Sequence, residues 1–185
     1  MKLSTQRLEL VAATYEHIQA ELESLEKLAA LLDVEIEPGW PPGEYDRGAQ
    51  EFFRDILEKA DSDTASWYLW YAIRKTTPDQ KSTLIGAGGY LGMPNENGEV
   101  EVGFSIVPSH RELGYATEMA QALVDRAFAD RRVCKVLAHT TPQNSASRRV
   151  LAKAGFQVDN SSEDPECLCF EICRDETPIS DRHHR

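Results

Sequence analysis

The run from Val100 to Ala129 constrains this chain more than any other stretch. Val100, Val102, Phe104 and Ile106 alternate with Glu99, Glu101, Gly103 and Ser105, and a period of two predicts a strand with one apolar and one polar face. Pro108 lacks the N–H that would extend the ladder, so the strand ends there. The turn HRELGYA, His110–Ala116, follows, and Gly114 and Ala116 keep it free of bulk. From Thr117 the apolar residues Met119, Ala120, Leu123, Val124, Ala127 and Phe128 recur at intervals of three and four, the spacing of a helix face. Strand, small-residue turn and helix in succession bring unpaired backbone N–H groups to a point where a phosphate can bind.

The 185 residues suffice for one sizeable core and are short for two, so one domain over residues 1–175 and a frayed tail over 176–185 are expected. Hydrophobic residues at 41% and charged residues at 28% are ordinary for a globular chain. No apolar run approaches the ~18–20 residues of a membrane span. The opening MKLSTQRLEL has no signal-like apolar stretch, so a cytoplasmic location and no membrane partner are expected. A net charge of −11 disfavours binding to a nucleic-acid backbone. A cationic substrate such as an amine would suit it, but solubility is the plainer explanation. Cys134, Cys167, Cys169 and Cys173 form no CxxC pair and have no histidine at ligand spacing, which predicts buried free thiols and no metal.

Along the chain, alternation predicts a strand over Arg7–Ala12 and heptad-like spacing a helix over Tyr15–Leu32, started by Thr14 with an incomplete capping box because His17 replaces glutamate. Prolines and glycines make Glu35–Tyr45 a loop, and Asp46 opens a helix to about Ala60. Trp67–Arg74 and Thr83–Leu91 read as strands, with Gly86, Gly88 and Gly89 marking a bulge or a close approach. Asn97-Gly98 suits a primed hairpin turn. Lys135–Thr140 is a further strand, Ser145–Ala154 a short helix stopped by Gly155, and Phe156–Asp159 and Leu168–Arg174 are closing strands joined by NSSEDPE. The order β-α-α-β-β-β-α-β-α-β-β describes a mixed α/β (α+β) domain.

There is no P-loop, no GxGxxG after a strand, no HExxH and no GxSxG. What remains is Arg111-x-x-Gly114-x-Ala116 and, some way on, NSASRRVLAKAGF, Asn144–Phe156. The first resembles the pyrophosphate signature Q/R-x-x-G-x-G/A of the GNAT acetyltransferases, and the second resembles that family's N-x-x-S-x-x-x-L-x-K-x-G-F. Two motifs in family order, with the TQRLEL opening, are similar to the RimJ/RimL branch of ribosomal-protein N-terminal acetyltransferases. The resemblance implies a mostly antiparallel sheet of about seven strands with a splayed parallel pair, flanked by about four helices. It implies an acetyl-CoA-dependent N-acetyltransferase whose acceptor is a primary amine, on a small molecule or a protein N-terminus, acting as a monomer or homodimer. A catalytically silent CoA-binding or regulatory protein on the same fold is the alternative.

On this resemblance Arg111, Glu112, Leu113, Gly114, Tyr115, Ala116 and Thr117 form the turn that holds the pyrophosphate, chiefly through main-chain N–H groups and the positive end of the helix. The backbone around Ile106 and Val107 meets the pantetheine arm and polarises the thioester carbonyl. Glu101, on the polar strand face, is the candidate base for the amine, with Glu99 as fallback and a solvated glutamate as the plain alternative. Asn144 either contacts the CoA arm or caps its helix, or does both. Ser147 contacts CoA or protonates the leaving thiolate, because Leu151 stands where many relatives carry a tyrosine acid. His139, Trp40, Tyr45 and Tyr90 are candidates for the acceptor pocket, each more simply explained by a structural role: a satisfied histidine for the first and packing for the aromatics.

Overall fold

The structure, a computed structural model, describes residues 1–78, 81–159 and 165–174. Its strands are β1 (Lys2–Ser4), β2 (Leu8–Ala12), β3 (Glu35–Ile36), β4 (Leu69–Arg74), β5 (Thr83–Tyr90), β6 (Glu99–Ile106), β7 (Lys135–Thr140), β8 (Gln157–Asp159) and β9 (Leu168–Cys173). Its helices are α1 (Tyr15–Glu23), α2 (Leu25–Leu32), α3 (Arg47–Leu57), α4 (Ser62–Ala65), α5 (Tyr115–Ala129) and α6 (Ser145–Lys153). The strands make one sheet in the order β1-β2-β4-β5-β6-β7-β9-β8, with β3 added alongside β5. Pairing is antiparallel except for β3 with β5 and β6 with β7. The expected fold class is therefore the observed one, and the extra elements are short.

Local chemistry explains most of the differences. The helix expected over Tyr15–Leu32 breaks at Ser24, whose backbone is extended (φ −168, ψ 136). The Ser24 hydroxyl accepts from the Lys27 N–H and caps the second half, so its competition with the backbone ends one helix and starts another. At the other end of α1, His17 Nδ1 accepts the Thr14 N–H at 3.1 Å, completing the cap that was expected to be incomplete. Two residues of the expected loop, Glu35 and Ile36, pair with Thr83 and Leu84. The turn before β6 is not primed: Asn97 keeps an ordinary φ, and Gly98 alone is left-handed, at φ 73. Asn95 makes this possible, its side-chain oxygen accepting from both the Asn97 and Glu99 N–H groups at 2.9 Å.

The α5 face of the sheet shows why β5 is glycine-rich. A Cβ on Gly88 would lie 2.8 Å from Met119 Cε and 2.5 Å from the Gly103 carbonyl oxygen. The helix thus presses directly on the strand, and the ladder shifts register between Ala72 and Ile73 on β4. Met119, Ala120, Leu123, Val124 and Ala127 are buried, the stripe read from the sequence. Helix α1 packs on α2 and α3 elsewhere in the fold. Among the four free cysteines only Cys169 is buried; contrary to expectation Cys167 is half-buried and Cys134 and Cys173 are exposed, Cys134 just before β7 and Cys173 at the last position of β9. Among the described residues no helix is long and apolar enough to cross a membrane. The expected frayed tail and most of the NSSEDPE turn lie outside the described residues.

Candidate functional site

Strands β6 and β7 pair in parallel only from Glu99–Lys135 to Glu101–Leu137. Beyond that register β6 runs on to Ile106 against β5, and β7 runs on to Thr140 against β9. A wedge therefore opens between two strands that are each held on their far side. The Val107 N–H donates to the Ile85 carbonyl at 2.9 Å. Successive residues of a strand turn their polar backbone groups to opposite edges, so Phe104 and Ile106 present theirs to the wedge.

At the wide end of the wedge a single 3-10 turn, Pro108–His110, leads to Arg111 in an extended conformation and Glu112 at φ 62. Gly114 (φ 86, ψ 0) is the N-cap of α5, in a left-handed conformation that glycine enters without cost. No side chain caps this helix. Its opening amides and the positive end of its dipole are thereby left without a side-chain partner. Arg111 turns back on the strand, its Nε donating to the Ile106 carbonyl at 2.9 Å.

At the narrow end sit Glu101 and His139. Glu101 occupies the last paired register of β6, and His139 lies two positions beyond its partner on β7. His139 Nδ1 lies 2.8 Å from Glu101 Oε1. The loop before α3 approaches the same strand, since a Cβ on Gly43 would fall 2.5 Å from Ser105 Oγ. A carboxylate, an imidazole and the β6 edge that β7 leaves unpaired thus lie along the same two strands, and β6 leads on to an uncapped helix N-terminus.

Residues 7–157 match the sequence profile of the acetyltransferase (GNAT) domain. The chain belongs to the GNAT acetyltransferases. It is 31% identical over 160 residues, covering 86% of this chain and 92% of its relative, to a Bacillus subtilis (strain 168) protein described as the uncharacterized N-acetyltransferase YjdG. In fold it is similar to a ribosomal-protein-S5-alanine acetyltransferase from Vibrio fischeri, with a TM-score of 0.64 at 14% identity over 95% of this chain and 98% of that one. It is also similar to RimL, a ribosomal L7/L12 α-N-protein acetyltransferase solved with coenzyme A, with a TM-score of 0.61 at 17% identity over 94% and 98%.

Within this GNAT frame the candidate residues fall into distinct places. Asn144 caps α6, its Oδ1 accepting from the Ser147 N–H at 3.0 Å, and Ser147 is half-buried in that first turn. Leu151 is wholly buried and belongs to the core. Glu99 lies 3.9 Å from Lys135 and accepts from Asn95 Nδ2 at 3.1 Å, away from the Glu101–His139 pair. Tyr90 is on the α5 face, fully buried, with its hydroxyl donating to the Leu123 carbonyl at 2.5 Å. It is not brought together with Glu101. Trp40 and Tyr45 are buried around Glu21: Trp40 Nε1 and Gln50 Nε2 donate to one carboxylate oxygen, and the Tyr45 and Tyr71 hydroxyls to the other, at 2.5–2.9 Å. Burial raises the Glu21 pKa, and these four donors only partly offset it.

Three residues near the turn were not anticipated. Glu118 accepts from Thr5 Oγ1, from the Arg7 N–H and from Arg7 Nε, while Arg7 Nη1 donates to the Leu113 carbonyl. Desolvation would raise the Glu118 pKa, but the bonds from Thr5 and Arg7 outweigh it and hold the carboxyl below its usual range. The only hint in the sequence was the TQRLEL opening. Nothing there names Glu118 as its partner.

Proposed function

We propose that this GNAT protein moves an acetyl group from acetyl-CoA to a primary amine by direct attack on the thioester. The observation that carries this is the Glu101–His139 pair at 2.8 Å, standing where β6 and β7 part and opening into the wedge that ends at α5. The residues present suit an acyl-CoA. The Phe104 backbone and the Ile106 N–H, on the edge turned away from β5, match a pantetheine arm, which carries amides and lies like a strand; the Ile106 carbonyl is already engaged by Arg111. The uncapped amides after Gly114 match a pyrophosphate. The cosubstrate supplies an activated thioester.

Glu101 takes the proton the amine must lose, and its hydrogen bond to His139 fixes the carboxylate. Because the Val107 N–H is committed to Ile85, polarisation of the thioester carbonyl falls to the wedge-facing backbone of β6, Ile106 above all. Arg111, held on the Ile106 carbonyl, stiffens that stretch. Asn144 orders the first turn of α6, where Ser147 is the candidate donor to the leaving thiolate. The likeness in fold to acetyltransferases named for ribosomal proteins is a reason to test peptide N-termini beside small amines.

The test is thiol release from acetyl-CoA over a panel of peptides and small primary amines, run beside a CoA titration. Turnover with at least one amine is expected. Tight CoA binding without turnover on any acceptor would favour a silent CoA-binding role, and no CoA binding would overturn the reading altogether.

A further inference from the structure

Glu118 is a carboxylate beside a helix end that would face phosphates, and left alone it would repel them. The N-terminal segment answers it directly. Thr5 Oγ1 and the Arg7 N–H donate to Glu118 Oε1 at 2.5 and 2.7 Å, and Arg7 Nε donates to Oε2 at 2.7 Å. The same guanidinium donates through Nη1 to the Leu113 carbonyl at 2.8 Å and lies 4.4 Å over the Tyr115 ring. Its Nη2 is 3.2 Å from the place a Cβ on Gly114 would occupy. One side chain therefore touches the turn on both sides of Gly114. Arg7, Gly114, Thr117, Glu118 and Lys153 border a groove of about 430 Å³ beside the turn, so the charges of Arg7 and Glu118 both act on whatever anion enters it.

We propose that Arg7 is a positioning residue for CoA: it cancels the Glu118 charge and tethers the Leu113 carbonyl, so that the amides opening α5 meet the phosphates unopposed. The proposal rests on the acetyl-CoA reading above. A purely structural stitch would behave differently. If Thr5 and Arg7 only anchored the N-terminal strands to α5, replacing Glu118 would not repair an Arg7 defect. If charge cancellation is the role, replacing Glu118 relieves the defect.

Calorimetric CoA titration of the full chain separates these. Arg7→Gln weakens CoA about tenfold, a defect that shrinks as salt rises, with kcat at saturating acetyl-CoA near that of the wild type. Glu118→Gln alone binds CoA as well as the wild type or better, and the double variant returns to within about threefold of it. Arg7→Lys, which keeps the charge and loses the fork, stays within about threefold. If wild type fails to bind CoA, the functional reading falls first. If wild type binds while Arg7→Gln is unchanged, or while the double variant is no tighter than Arg7→Gln, the Arg7 role alone is overturned. Should Arg7→Gln not fold, a folded Arg7→Lys that loses more than about tenfold overturns it instead.

Discussion

His139 Nδ1 lies 2.8 Å from Glu101 Oε1 across the point where β6 and β7 separate, and the two side chains are 38% and 33% exposed. That exposure leaves the pair open to solvent, and the hydrogen bond holds the carboxylate in one orientation. Glu101→Gln should lower kcat by about 10²–10⁴ while leaving CoA affinity unchanged. His139→Ala should cost less. With Glu101 as the proposed base and His139 orienting it, the double variant should be no slower than Glu101→Gln alone. Steady-state kinetics on the best acceptor decide the matter, and an unaltered kcat in Glu101→Gln would remove the base assignment.

Gly114 carries the turn in a left-handed conformation at φ 86, where a Cβ would meet only the flexible end of Arg7, at 3.2 Å. Gly114→Ala should therefore cost about 1–2 kcal/mol, mainly as backbone strain. Gly114→Glu adds a negative charge at the positive end of α5 and should weaken CoA binding well beyond that strain. Denaturant unfolding measures the first effect and calorimetry the second; equal CoA affinity in Gly114→Glu and Gly114→Ala would count against a phosphate at this turn.

How far these features could be read in advance depended on how local they are. The alternation of Glu99–Ile106, the small-residue turn at Gly114 and the Asn144 cap are contained within a few residues each, and the structure has them where the spacing put them. The Arg7–Glu118 bond spans 111 positions and the Tyr71–Glu21 bond spans 50, and no local pattern encodes either pairing. Tyr90 illustrates a second limit. Alternation places it on one face of β5 or the other, but only the docking of α5 shows that this face is closed and that its hydroxyl ends on Leu123. The same applies to Trp40: its loop is evident from the prolines, whereas its burial depends on a glutamate in α1.

Gly88 sits under α5 with Met119 Cε 2.8 Å and the Phe104 Cα 2.9 Å from the position of an added Cβ. Backbone crowds one side and the helix the other, so relaxation is limited. Gly88→Ala should destabilise the fold by about 1–3 kcal/mol through overpacking. Met119→Ala opens room on the helix side only, since the Gly103 carbonyl remains 2.5 Å away. Combining the two should then recover part of the Gly88→Ala loss and not all of it. Unfolding free energies of the four proteins test this, and strict additivity would show that the helix contact is not the cause.

Glu21 is buried with four donors and, among the described residues, no cation on its carboxylate, and burial raises its pKa above the ordinary 4.5 while bonds from Tyr71, Tyr45, Trp40 and Gln50 pull it partly back. A folded pKa above the unfolded one means the folded state holds the proton more tightly. The resulting stabilisation is complete below about pH 4.5 and is lost as pH rises through the folded value. Glu21→Gln cannot titrate. Its stability relative to wild type should therefore improve as pH rises across that window, after an initial deficit of about 1–2 kcal/mol from reoriented hydroxyls. Asp130, held down to about 2 by Arg132, and Glu118 drive stability the other way with pH, but they are present in both proteins and cancel in the difference. Glu21→Ala strands the four neutral donors and should cost more than Glu21→Gln, at about 1–3 kcal/mol for each donor left without a partner. Urea unfolding of wild type and Glu21→Gln from pH 4 upward gives the answer; a difference that does not change with pH would show that the carboxyl titrates alike folded and unfolded.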